Sequence, residues 1–254
     1  MTLRPLIQPD ANWLDSPSRR QVAQVALTAC AGLAIYGFSI GFWRDPLMGV
    51  YVAVKLPLLI ALTLGCNGFL NGLLGFLLGT GLGFRQSMLA LLTSFALAAL
   101  ILGSLAPVTF FLAWNAPPPD SPGAKNAHAA YLVAHTALIG FAGITANLHL
   151  HRLLAVKSPS PAAATATLLA WLGGNGFLGA QFSWILRPFF GTPALKVEFL
   201  RENPLDGNFY LTVWKAIDKT TSGHGLSALC IILIFLLSPI LHAIYKNHSS
   251  IPRL

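Results

Sequence analysis

The chain has 254 residues, 55% of them hydrophobic and only 9% charged, with a net charge of +8. A soluble domain carries roughly 25% charged residues, so the composition excludes a water-soluble fold and leaves one integral membrane domain without room for a separate soluble one. The sixteen Lys and Arg residues are dispersed and lack interleaved aromatics, which points to anionic lipid near the membrane surface and away from nucleic acid.

Residues 1–21 form a polar N-terminal segment containing Arg4, Arg19 and Arg20. The arginine pair directly before an apolar run predicts a cytoplasmic N-terminus, and the mixed polar lead argues for a retained first helix over a cleaved signal. The apolar runs are 22–43, 46–84, 87–114, 129–147, 162–186 and 225–244, and they predict an all-α, polytopic transmembrane helical bundle of about six spans. The transmembrane domain so defined covers 22–245, includes a polar loop at 191–224, and is followed by a polar C-terminal tail, 246–254.

Trp43 reads as an interfacial anchor, and Arg44, Asp45 and Pro46 as a tight hairpin. The run 46–84 exceeds one vertical crossing. In one reading a helix kinked near Pro57 crosses once and ends in a turn at Gly79–Gly83; in the other, Cys66–Asn71 turns between two short crossings, giving seven spans. The single crossing is preferred. Gly65, Gly68, Gly72, Gly75 and Gly79 recur at spacings of three and four, the small-residue stripe of closely packed membrane helices. It serves either packing within the chain or an oligomer or substrate interface.

Residues 116–127 are a Pro-rich solvated connector, and the span 129–147 ends in Asn147, His149, His151 and Arg152. A Pro/Ser/Lys connector, 156–161, precedes the fifth span. Beyond Gly191 the chain is polar to His224. Within that loop, Asn208–Ile217 predicts a short amphipathic helix carrying Trp214, with Asp206 placed to cap its start. It would lie in the interface plane.

All eight carboxylates, Asp10, Asp15, Asp45, Asp120, Glu198, Glu202, Asp206 and Asp218, lie outside the apolar runs. Paired-acid catalysis and acid-based proton coupling therefore lack their parts. No phosphate-binding loop or nucleophile elbow is present. His128, His135, His149 and His151 are spread along one helix and do not form a metal set, and Cys30, Cys66 and Cys230 read as small packing residues without a cofactor role.

Two constellations remain. Lys55 is the one base well inside an apolar run, and Lys55, Asn67, Asn71 and Asn175 are candidates to line a polar cavity. With no acid in the membrane, the partners of Lys55 would be carbonyls, water or lipid phosphate; snorkelling to the surface is the plainer alternative. Gln181, Trp184 and Arg187 share a helical face and, with Trp214, are candidates for contact with a partner or lipid headgroup. Arg187 before Pro188 ends the helix at headgroup level, as a phosphate ligand or simply as an anchor.

The stretches Lys55, Leu56, Pro57, Leu58, Leu59 with Gly83, Phe84, Arg85, Gln86, and Gln181, Ser183, Trp184, Leu186, Arg187, Pro188, Phe189, Gly191, resemble a family of uncharacterised bacterial multi-pass inner-membrane proteins, distantly similar to the Yip-type membrane domain. The resemblance spans roughly 46–217. It implies an all-helical membrane domain engaged in partner binding or membrane organisation, and supplies no catalytic residue.

The resulting expectation is a non-enzymatic inner-membrane scaffold binding membrane lipids or a protein partner through loop 191–224. The alternative is a channel or carrier for a small solute along a polar path near Lys55. The charge balance across the loops does not fix the side of the polar loop.

Overall fold

A computed structural model of the chain describes residues 11–220. Those residues are helical with no strand, as the composition predicts. The chain divides between Pro204 and Leu205 into two compact units. The first holds α1 (Ala11–Asp15), α2 (Arg19–Phe42), α3 (Pro46–Leu77), α4 (Phe84–Asn115), α5 (Ala124–Lys157) and α6 (Pro161–Ile185); the second holds α7 (Phe209–Thr220).

Local chemistry sets the helix starts. Ser18 accepts from the Gln21 backbone N–H while Gln21 Oε1 accepts from the Ser18 N–H, a reciprocal cap. Asp45 caps α3 through Leu47 N–H at 2.7 Å with Pro46 as first helical residue, and Ser160 with Pro161 repeats the arrangement on α6. Pro57 sits within an unbroken α3, so 46–77 is one helix and not two short crossings. The following turn places Gly79 at φ 78° and Gly81 at φ 71°, a backbone region open mainly to glycine.

The first unit is a ring of helices in the order α2, α3, α6, α5, α4, closing on α2, with α2 and α4 running parallel. The α2 contacts with α3 and α4 are the most extensive in the ring, and the α5–α6 seam is the slightest. Close approach is made by absent side chains: a Cβ on Gly37 would lie 2.6 Å from the Val52 carbonyl oxygen, and one on Gly103 would lie 2.9 Å from the Gly32 Cα. Large apolar side chains such as Leu27, Ile35, Phe69, Phe76, Val133 and Phe141 instead face outward. That inversion belongs to a membrane protein, since lipid is as apolar as the core.

Among the described residues four helices, α2 to α5, are long and apolar enough to cross a membrane, not the six spans predicted. The predicted span 162–186 does form a helix, α6. Its Thr165, Thr167, Asn175, Gln181 and four glycines leave it too weakly apolar to qualify on composition. It nevertheless runs from one end of the ring to the other. The predicted span 225–244 lies outside the described residues.

Several local expectations change. The glycine stripe packs within the chain: Gly68 faces Met88, Gly72 faces Phe84, and Gly75 faces Ser87 and Trp171, while Gly65 has open space. Trp43 is buried and donates to the Pro117 carbonyl at 3.0 Å, because α4 and its following loop fold over it. Helix α5 continues to Lys157, so His149, His151 and Arg152 are helical rather than flanking. Cys30 and Cys66 are exposed on outward faces, not packed inside; Cys230 lies outside the described residues. In the second unit Asn208 supplies an oxygen that caps α7, accepting from Leu211 N–H at 2.8 Å.

Candidate functional site

The ring of helices encloses a cavity of about 380 Å³. It exists because small residues meet where large ones would fill the space: Ala98 on α4, Ala142, Gly143 and Ala146 on α5, and Gly176 and Gly179 on α6. Leucines, Ile60, Phe95 and Trp171 form much of the remaining wall. The few polar groups are Tyr36, Thr63, Ser94, Asn147 and Asn175. Ile139 and Leu172 border the cavity and are 43% and 40% exposed, so it reaches the lipid-facing surface at the α5–α6 seam.

The predicted polar set divides. Asn67, Asn71 and Asn175 come together: Asn175 Oδ1 accepts from both Asn67 Nδ2 and Asn71 Nδ2 at 3.2 Å, and Asn175 Nδ2 donates to the Trp171 carbonyl at 2.8 Å. Trp171, fully buried, donates through Nε1 to the Asn71 carbonyl. The cluster fastens α6 to α3, and Asn175 also borders the cavity. Lys55 is not with them. Twelve residues before Asn67 on α3, it lies about 18 Å away along the helix axis.

Lys55 is fully buried and does not snorkel. Its ammonium donates to the Pro188 carbonyl at 2.7 Å and lies 5.8 Å from the Phe189 ring centre and 5.1 Å from that of Phe199. The carbonyl partner expected for a membrane lysine thus comes from the segment after α6. That segment, 186–204, straps back over the ring. Arg44 donates to the Leu195 carbonyl at 3.0 Å, Tyr51 meets Phe199 edge-on, and Phe189, Phe190 and Val197 pack on the core.

Below the strap lies a second polar group. Tyr36 and His135 share a 2.8 Å hydrogen bond through His135 Nδ1, and Tyr131 donates to the Ser39 carbonyl at 2.6 Å. Ser39 also meets Thr109 at 2.7 Å, and Phe190 covers the His135 ring. These contacts join α2, α4 and α5. His128 stacks on Trp43, and His151 pairs with Thr165. Among the described residues no three His, Cys, Asp or Glu side chains converge to hold a metal.

Of the second predicted set, Trp184 and Arg187 are joined: the guanidinium lies 3.7 Å from the Trp184 ring centre and donates to the Trp184 carbonyl at 2.6 Å. Gln181 is one turn earlier on α6, half-buried, and Trp214 is exposed on α7 in the second unit.

At the opposite end of the ring, Asp15 accepts from Lys157 Nζ at 2.6 Å and from Gln86 Nε2 at 2.8 Å. The Lys157 hydrogen bond, helped by its charge and by Gln86, holds the Asp15 carboxyl below its ordinary value of 3.8.

The cavity wall is what sequence reasoning missed. Its signal is the small residues at helical spacing on α5 and α6, which read individually as ordinary packing positions. Comparison of the chain with protein-family models, curated proteins and solved structures finds no match in any of the three.

Proposed function

We propose that this membrane protein is a non-enzymatic, bilayer-embedded binder of a hydrophobic ligand, with the cavity between α2 and α6 as its site. The observation that carries this is the cavity itself: about 380 Å³ of mostly apolar space with a handful of polar groups, within the size range of small-molecule sites. Its mouth opens to lipid, the solvent from which an apolar occupant would come.

A channel for a small polar solute is disfavoured by the division of the polar set. Lys55 lies beneath the strap, and the three asparagines bond to one another across the α3–α6 interface. The resemblance noted in the sequence and the arginine-flanked first helix support a bacterial inner membrane as the setting.

The test is mass spectrometry of the full-length protein purified in mild detergent. The wild type carries a co-purifying hydrophobic molecule at near-unit stoichiometry. Gly143→Phe, which projects into open space in the cavity wall, removes it, while Gly140→Phe, in open space off the cavity, does not. Retention by a folded Gly143→Phe protein would refute the assignment.

A further inference from the structure

We infer that the ligand is an uncharged lipid bearing a hydroxyl group, held by the carboxamide of Asn147 and admitted from the bilayer through the α5–α6 seam. This rests on the reading of the cavity as a binding site.

The charge of the ligand follows from the wall. Among the residues bordering the cavity none is ionisable except Tyr36, whose hydroxyl is engaged by His135. A charged headgroup brought there would lose its hydration without an opposite charge to replace it, at a cost of several kcal/mol or more. Anionic phospholipid headgroups and fatty carboxylates are thereby excluded from the interior, and neutral molecules remain.

The polar complement follows from which wall groups still offer both a donor and an acceptor, since a hydroxyl that has given its one proton can only accept. Thr63 donates to the Leu59 carbonyl and Ser94 to the Ala146 carbonyl. Trp171 donates to Asn71, and Asn175 is bonded at both ends of its amide. Asn147 differs. Its Nδ2 donates to the Gly143 carbonyl at 2.8 Å, and because a carbonyl only accepts, that bond fixes which end of the amide is nitrogen. Oδ1 has no donor among the described residues. A hydroxyl suits this group, since it can donate to Oδ1 and accept from the second amide hydrogen.

The route follows from the ring. The α5–α6 seam carries the slightest helix contact, and Cβ atoms on Gly143 and Gly176 would meet nothing within 4 Å. Ile139 and Leu172 stand exposed at its edge. A chain can therefore slide sideways from lipid into the cavity without passing the polar strap.

The experiment uses the full chain in phosphatidylcholine nanodiscs and three photoactivatable probes of one chain length: a fatty alcohol, its methyl ether, and the corresponding fatty acid. Labelled peptides are mapped by mass spectrometry. The alcohol labels 139–150 and 171–179 roughly three- to tenfold above the ether, the worth of one neutral hydrogen bond, and above the acid. Asn147→Leu brings the alcohol down to the ether level while ether labelling persists; if that variant does not fold, Asn147→Ser, which shortens the reach of the acceptor, lowers the preference in its place. Equal labelling by alcohol and ether in the wild type, or preference for the acid, overturns the hydroxyl inference and leaves the cavity reading standing. No labelling of these peptides by any probe, or labelling that survives Gly143→Phe, overturns the cavity reading itself.

Discussion

At Gly37 the α2 backbone lies against α3, with 2.6 Å between the point a Cβ would occupy and the Val52 carbonyl oxygen, whereas at Gly65 the same atom would meet nothing within 4 Å. Two substitutions of similar chemistry should thus move stability in opposite directions. Gly37→Val forces the helices apart and lowers the midpoint of SDS-induced unfolding by the equivalent of about 1–3 kcal/mol, the usual cost of overpacking. Gly65→Ala raises it by up to about 0.5–1 kcal/mol through helix propensity. The sequence marks both as members of a small-residue pattern, but which glycine faces a neighbour depends on helix rotation. Lys55 shows the same boundary. Its place in an apolar run and its need for a carbonyl are both legible, yet the carbonyl belongs to Pro188, 133 residues away, and only the folded strap brings it there. Asp15 gives a pH prediction with a definite sign. Its folded carboxyl titrates below the unfolded value of 3.8, so its contact with Lys157 contributes in full above that value and is lost as pH falls through the lowered one. The hydrogen-exchange protection of residues 11–18, taken relative to the intrinsic rate at each pH, should fall below about pH 3.8 in the wild type, and in Asp15→Asn it should be low at both pH 6 and pH 3.

Among the elements, α6 and the strap depart furthest from what the chain announces. The composition of α6 falls short of a membrane span because it carries four glycines and a polar set whose Asn175 is held toward α3, where Asn67 and Asn71 satisfy it. If α6 crosses, single cysteines at Ser121 and Asn203 react with an impermeant maleimide from the same side of intact cells, and one at Ser160 from the other; shared labelling of Ser160 and Asn203 would show that it does not. The strap 186–204 has no periodicity to reveal it, since its order comes from three anchors, Arg44 in the turn between α2 and α3 and Tyr51 and Lys55 on α3. Lys55→Met leaves the Pro188 carbonyl without its donor, and trypsin should then cut after the exposed Lys196 several-fold faster than in the wild type. Unchanged cleavage would mean that Arg44 and the aromatic contacts hold the strap alone. The long apolar helices, by contrast, are legible throughout, because length and apolarity alone decide them.

For the first unit as a whole the governing feature is a ring with a soft seam. Helices joined by glycine contacts make one rigid side, α3–α2–α4, and the residues that fail to fill the middle make the other. A hydrophobic occupant should stiffen the second side: adding the long-chain alcohol to delipidated protein should raise the melting temperature of the wild type and leave that of Gly143→Phe unchanged. The two ends of the ring also differ in kind. The end bearing α1 is fastened by the Asp15 carboxylate on Lys157, and that carboxylate responds to protons. The end bearing the strap is fastened by Lys55 and Arg44 to backbone carbonyls, which do not titrate. Set in a bilayer with α6 crossing, the molecule is therefore polarised toward a proton gradient. Strong acidity in the compartment facing α1 releases the carboxylate latch there, whereas the carbonyl acceptors of Lys55 and Arg44 at the strap keep their hydrogen bonds.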